Sequence, residues 1–347
     1  MDGLAHTAVS AAPPNVPVAS IYEAVSQQFG LRGTYSALVS ERDQNFLLQT
    51  TDGDQYVVKI SSPAEAKIVS DFQIAALRHL EKYDNVRVPR VIRTLDGRLF
   101  GSVPDDGKTY RLRLTNYLAG DLLASLPLDR ELMHDFGSKL ASLDTGLERF
   151  CHEGELPVIL WDLQRAGELR ALLNHIDDAT FRAQVTSVID DFETLVAPRL
   201  STLRVQVIHG DANPENVLIE PGSRRVSGFI DFGDMIRAPL VFDVAIAAAY
   251  LRAEDTAPLR LIVPFVAGYC SVQPLEPVEL SLLFDLVRAR LATTITLLHW
   301  RLCARDKDDP YRQKTLDREA GASAFLAALD RLGRTAFLDE LGQALRR

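Results

Sequence analysis

The spacing of apolar and polar positions changes character twice along this chain. Ile21–Phe29 has helical apolar spacing and stops at Gly30. The period then falls to two, which predicts strands at Tyr35–Val39, Asn45–Thr50 and Gln55–Ile60. Thr51-Asp52-Gly53-Asp54 joins the last two, and its Asp-Gly pair is a hairpin signal. Ser62-Pro63-Ala64-Glu65 reads as a capping box that opens a helix running to about Lys82, with Ile68, Phe72, Ala75, Ala76 and Leu80 on its buried face. Strands return at Val88–Leu95, Arg98–Val103 and Tyr110–Leu118. Beyond Gly120 the spacing is helical at Leu128–Leu143, Leu163–Leu173 and Phe181–Leu200. It is broken by short strands at Val205–Ile208, Val217–Ile219 and Val226–Ile230. Helical spacing then holds at Val244–Leu251, Leu259–Tyr269, Pro277–Ala304 and Leu316–Leu332.

The expected organisation is an Ala/Pro-containing tail over residues 1–20, a strand-rich lobe over 21–118 and a helix-rich lobe over 119–347. A length of 347 residues suits about two domains. The net charge of −9 makes a nucleic-acid backbone an unfavoured partner, because such binding rests on clustered Lys and Arg. No stretch of about 18 apolar residues offers a membrane span, and the N-terminus lacks the basic-then-apolar pattern of a signal peptide. Three widely spaced cysteines, Cys151, Cys270 and Cys303, suit reduced thiols and a cytoplasmic location. The oligomeric state is open.

Candidate chemistry is concentrated in VIHGDANPENVLIEPGSRRVSGFIDFGD, residues 207–234. His209-Gly210-Asp211 closes one strand, Asn216 follows five residues after Asp211, and Asp231-Phe232-Gly233 closes another strand. The pattern H-x-D-x-x-x-x-N followed by D-F-G is that of phosphoryl-transfer sites. Mg²⁺ prefers hard oxygen ligands, which Asp231 and the Asn216 side chain supply. Asp211 stands where a carboxylate takes a proton from an acceptor hydroxyl. Each residue alone has a structural explanation, Asp and Asn as turn caps and His209 as a core histidine. The joint spacing favours chemistry. A metal-dependent hydrolase built on His209, Asp211 and Asp231 is a weaker alternative, since no further histidines stand at useful spacing.

On these motifs and the strand-then-helix order, the chain resembles the aminoglycoside phosphotransferase/choline kinase superfamily over roughly residues 25–345. HGD in place of HRD favours a small-molecule kinase. The resemblance implies an α+β, protein-kinase-like two-lobe fold, with an antiparallel N-terminal sheet carrying one helix and a mostly helical C-terminal lobe. It also implies Asp211 as base and Asn216 and Asp231 as Mg²⁺ ligands. Such a fold uses a third-strand lysine for the nucleotide phosphates, and Lys59 in Tyr56-Val57-Val58-Lys59-Ile60 fits. Asp71, in DFQIAAL, is the expected acidic partner of that lysine, with Glu65 as the alternative. The phosphate loop falls on Ser40-Glu41-Arg42-Asp43-Gln44-Asn45, which lacks G-x-G-x-x-G; Arg42 and Asn45 are its candidate side chains. The base of ATP or GTP is expected near backbone groups of Asn116, Tyr117 and Leu118.

The combination of SERDQNF, DFQIAAL and IDFGDM resembles the hydroxylysine kinase group. That implies a small-molecule acceptor bearing a hydroxyl and an amine. Homoserine, choline/ethanolamine and aminoglycoside kinases are neighbouring possibilities, and a nucleotide-binding pseudokinase is the rival of a different class. Candidate acceptor contacts are Trp161 and Asp162 for an ammonium group, Asp234 for the same charge, and Arg237 and Arg290 for a carboxylate. Asp243 reads as the N-cap of the helix that follows it.

Overall fold

The computed structural model describes residues 13–40, 42–253, 257–304 and 311–346. It divides into two compact units. The first holds Ala119 and everything before it, together with 150–160; the second holds 120–149 and 161–347.

In the first unit, helix α1 (Val18–Phe29) is followed by β1 (Gly33–Leu38), β2 (Gln44–Thr50) and β3 (Gln55–Ile60). Helix α2 (Lys67–Leu80), the two-residue β4 (Val91–Ile92), β5 (Gly101–Asp105) and β6 (Lys108–Asn116) complete it. The sheet is antiparallel, in the order β1-β2-β3-β6-β4, with β5 also on β6. The β2–β3 hairpin turns where expected, with Gly53 at φ 91°. One sheet face carries Phe46, Leu48, Val58, Ile60, Leu112 and Leu114, buried with Ile21, Val25 and Phe29 of α1. The period of two therefore places Asn45, Lys59 and Arg113, direct neighbours in register, together on the opposite face.

Three expectations are corrected here. The tail does not run to residue 20. Residues 1–12 lie outside the described set, but Val16 is buried and both its backbone groups bond the Gln44 side chain, at 2.8 and 3.0 Å. Ser62-Pro63-Ala64-Glu65 is a turn and not a capping box: α2 starts at Lys67, and Ser62 Oγ accepts from Ala64 N at 3.3 Å. The strand expected at Arg98–Val103 forms at Gly101–Asp105, because Thr94–Arg98 is a turn closed by Thr94 N–H on Arg98 O.

The second unit begins with β7 (Asp121–Leu122) and helix α3 (Arg130–Leu147), capped by Asp129 Oδ1 on Leu132 N at 2.9 Å. A kinked 3-10 segment, Leu163–His175, precedes α4 (Ala179–Asp191). The helix expected over Phe181–Leu200 ends early and continues as π and 3-10 turns to Thr202, where Pro198 cannot donate an α-helical bond. Strands β8 (Val205–Ile208), β9 (Val217–Ile219), β10 (Val226–Phe229) and β11 (Ile236–Pro239) form two small antiparallel groups, β7-β9-β10 and β8-β11. Helices α5 (Val241–Ala248), α6 (Ile262–Val272), α7 (Pro277–Ala304), α8 (Tyr311–Leu332) and α9 (Arg334–Leu345) follow. The fold is α+β and kinase-like, an antiparallel sheet region followed by a mostly helical part. Among the described residues no helix is long and apolar enough to cross a membrane.

Candidate active site

The short strands of the second unit end where chemistry was expected. Asp211 stands three residues past β8, Asn216 immediately precedes β9, and Asp231 stands two residues past β10. The loop between Asp211 and Asn216 is closed by Asn213 N on Asp211 O (2.8 Å) and Asn216 N on Asn213 O (2.9 Å). Asn216 Nδ2 donates to Asp211 O and Oδ2, both at 2.9 Å. Its amide oxygen is thereby turned away from Asp211, which suits a metal ligand.

Asp211 Oδ2 also accepts from Asn213 Nδ2 at 3.0 Å, and Oδ1 accepts from Arg290 Nη2 at 3.2 Å. Oδ2 thus takes two donors and Oδ1 only one, leaving an acceptor direction on Oδ1. Burial pushes the Asp211 carboxyl up to about 7; Arg290 opposes this, Asp234 adds to it, the Asn213 hydrogen bond opposes it and Asp231 adds to it.

The loop is held from beneath. Asp243, on α5, accepts from His209 N at 3.0 Å and from Gly210 N at 2.9 Å. It is therefore not the N-cap expected from sequence; it lies inside the helix, fully buried, where a carboxylate satisfies two loop N–H groups. Asp144, on α3, accepts from Tyr269 Oη at 2.6 Å. Burial holds its carboxyl well above the usual range, and Asp243 adds to this. His209 Nδ1 accepts from Asp211 N (3.3 Å) while Nε2 donates to Ile230 O (3.1 Å), so one imidazole ties the Asp211 loop to the strand before Asp231. Phe232 lies edge-on to His209, with ring centroids 4.8 Å apart. Gly210 has φ 76°, and a Cβ there would stand 2.3 Å from Asp234 O, so only glycine fits HGD. Asp231 adopts φ 57°, ψ 76°, a left-handed conformation costly for most residues but tolerated by Asp.

The expected acceptor residues separate. Arg290 is 2% exposed; its Nη atoms donate to Asp211 Oδ1, Trp161 O (3.1 Å) and Tyr250 Oη (3.4 Å), while its buried Nε has no hydrogen-bond partner among the described residues. Its guanidinium therefore lies against the Asp211 carboxylate. The Trp161 ring, expected to meet an ammonium, has Arg290 and Arg301 guanidiniums each 5.2 Å from its centroid. Asp162 is buried and caps the Leu163–His175 segment through Gln164 N at 2.9 Å. Asp234 and Arg237 lie on the segment that leads from Asp231 into β11.

In the first unit Lys59 is 16% exposed on the sheet face away from the core, but its partner is unexpected. Lys59 Nζ lies 2.5 Å from Asp43 Oδ2. Asp71 instead pairs with Arg111 Nη2 at 2.6 Å, because α2 turns that acid towards the β6 arginine. Glu65 Oε1 accepts from Gln73 Nε2 at 3.3 Å. Arg42 is exposed, Asn45 is half-buried, and Glu41 lies outside the described residues. The N–H groups of Asn116 and Tyr117 are spent on Arg90 O (3.0 Å) and Gln55 O (2.9 Å), so of the three expected base contacts only Leu118 has an N–H with no hydrogen bond among the described residues. Asp43, Arg113, Asn213, Asp144 and Asp243 were all missed as site or support residues. Asp43 had a signal, a short acid immediately before the strand that pairs with the candidate lysine's strand; the others had none outside the fold.

Comparison with known proteins gives the family. The family model described as "Phosphotransferase enzyme family" matches residues 34–280. A hydroxylysine kinase of Danio rerio is 27% identical over 312 residues, covering 86% of this chain and 88% of that protein. In fold, a microcompartment-associated aminopropanol kinase aligns with a TM-score of 0.72 at 18% identity, over 95% of this chain and 99% of that one. An amicoumacin kinase solved with AMP-PNP and Ca²⁺ aligns with a TM-score of 0.70 at 15% identity, over 92% and 95% of the two chains. With a model match that spans well over half its length, the chain belongs to the phosphotransferase enzyme family and is a small-molecule phosphotransferase acting on a hydroxyl group.

Proposed function

We propose that this protein is a cytoplasmic kinase that transfers the γ-phosphate of ATP or GTP to the hydroxyl of a hydroxy amino acid of the hydroxylysine type. The likeness to a hydroxylysine kinase over most of both chains supports the acceptor class. The observation that carries the chemistry is the engagement of Asp211, whose Oδ2 is held by two amides while Oδ1 keeps an acceptor direction. In this reading Asp211 Oδ1 accepts the acceptor's hydroxyl proton and orients its oxygen for attack on the γ-phosphorus. Lys59 binds the nucleotide phosphates. Asn216, through its amide oxygen, and Asp231 would hold Mg²⁺, which when bound neutralises charge on the phosphate oxygens. Two protein oxygens suit such a site. Among the described residues no group of three His, Cys, Asp or Glu side chains could hold a metal by itself.

The test is a coupled nucleoside-diphosphate release screen over hydroxylysine, homoserine, ethanolamine, choline and aminoglycosides, run with ATP and with GTP. Acceptor-dependent release is expected to be greatest with hydroxylysine. Greater release with another acceptor would replace the proposed substrate. Nucleotide binding without turnover across the panel would identify a pseudokinase.

A further inference from the structure

We propose that Asp43, in the loop between β1 and β2, positions Lys59 in this chain, the task that the family resemblance assigns to an acid on α2. This rests on reading Lys59 as the phosphate-binding lysine. Three observations carry it. Asp43 Oδ2 is 2.5 Å from Lys59 Nζ, and Asp43 Oδ1 accepts from Ser62 N at 2.9 Å, so the carboxylate is bound at both oxygens. Its side chain is 8% exposed against 44% for Asp71, so the Lys59 pair is shielded where the Asp71–Arg111 pair is open to solvent and screening. Of the alternative acids, Asp71 is taken by Arg111, and Glu65 bonds Gln73 through Oε1 while its buried Oε2 has no hydrogen-bond partner among the described residues.

The local chain explains why a short side chain suffices. Asn45 pairs directly with Lys59 across β2 and β3, and Asp43 lies two residues earlier, immediately before β2. The loop is drawn onto the strand by Asp43 N on Ser40 Oγ at 3.2 Å. Burial pushes the Asp43 carboxyl up, but Lys59, the Ser62 N–H and Arg113 together hold it below the ordinary carboxylate range. Asp43 therefore stays charged while largely buried, which requires its cation. It staples the phosphate loop to the lysine strand and to the turn before α2. The position of Lys59 and the shape of the loop are set together, without an ion pair from α2.

Asp43→Asn preserves size and an acceptor for Ser62 N–H but removes the charge facing Lys59. The measurements are Mg²⁺-nucleotide binding with a fluorescent ATP analogue, and the nucleotide and acceptor KM values, in wild type, Asp43→Asn, Asp43→Glu, Asp71→Asn and Glu65→Gln. Asp43→Asn is expected to weaken nucleotide binding by about thirtyfold or more, the scale of losing one partner of a buried charge pair. Acceptor KM should change little, and Asp43→Glu should recover part of the loss. Asp71→Asn and Glu65→Gln should stay within about twofold, as for exposed or neutral contacts. If Asp43→Asn does not fold, Lys59→Met and the Asp43→Glu/Lys59→Met pair replace it: the charge-retaining change should weaken binding in the Lys59→Met background less than in wild type. Normal binding by Asp43→Asn, an equal loss in Asp71→Asn or Glu65→Gln, or full additivity in the Lys59→Met background overturns the assignment and leaves the kinase reading intact. A wild-type protein that binds no Mg²⁺-nucleotide overturns both.

Discussion

Asp43 in the first unit and Asp211 in the second are both sheltered carboxylates lying against a basic side chain, yet their surroundings drive them in opposite directions. Asp43 faces Lys59 and Arg113 and is held below the usual carboxylate range despite burial. Asp211 faces Arg290 but also Asp234 and Asp231, and burial with that crowding lifts it to about 7. A single cation does not decide the charge of a buried acid; the balance of like and unlike neighbours does. The two acids therefore link pH to stability with opposite sign. The contribution of Asp43 is present above the ordinary carboxylate pKa and is lost as pH falls through its lowered folded value. That of Asp211 is present below the ordinary value, about 3.9, and is lost as pH rises through about 7. The first pattern suits an acid that only holds a lysine, and the second an acid poised to exchange a proton.

The largest expected effect comes from removing one of the crowding charges. Asp231→Ala should nearly abolish transfer, because a site of few protein ligands loses its anionic one. The fold should survive, since one repulsion on Asp211 is relieved. Wild type should gain thermal stability from Mg²⁺-nucleotide through mass action, and the variant much less. An equal gain in both proteins would remove Asp231 from the metal.

An intermediate effect is expected at Arg290. The limb of kcat/KM for nucleotide that rises with pH should reflect Asp211 near pH 7. Arg290→Met removes the largest influence that lowers this carboxyl, so the limb should move to higher pH by about one unit or more. An unmoved limb would mean that another group titrates.

The smallest effect is expected at Asp162. As a cap, Asp162→Ala should cost about 1 kcal/mol of stability and leave acceptor KM unchanged. A raised acceptor KM would restore its reading as an ammonium contact.

The candidate catalytic segment is legible in the sequence because its parts are local. Asp211, Asn216 and Asp231 lie within one stretch of chain, each at the end of a short strand, and spacing reports such an arrangement directly. The lysine of β3 was legible for the same reason, as a charge in an apolar strand. Its partner was not. Helical spacing places Asp71 on α2 without showing that Arg111, forty residues on, takes it. Asp243 is a long-range support, identified only when α5 brings it beneath the HGD loop, and Asp144 on α3 is held by Tyr269 rather than by that loop. The 3-10 and π turns over 163–202 were read as regular helices because apolar spacing does not distinguish a kinked turn from an α-turn. Asp231's left-handed backbone leaves no trace in composition beyond the tolerance of Asp for it.

The most direct test of the central claim, that Asp211 serves as the base of a hydroxyl phosphotransferase, is Asp211→Asn assayed for turnover and for nucleotide affinity in the same preparation. The substitution keeps the size of the side chain and an oxygen for Arg290, and replaces the proton-accepting carboxylate, together with the Oδ2 that accepts from Asn213 and Asn216, by an amide. Turnover should fall by roughly 10²-fold or more, the scale of a lost general base, with nucleotide affinity little changed. Near-normal turnover in this variant would contradict the account.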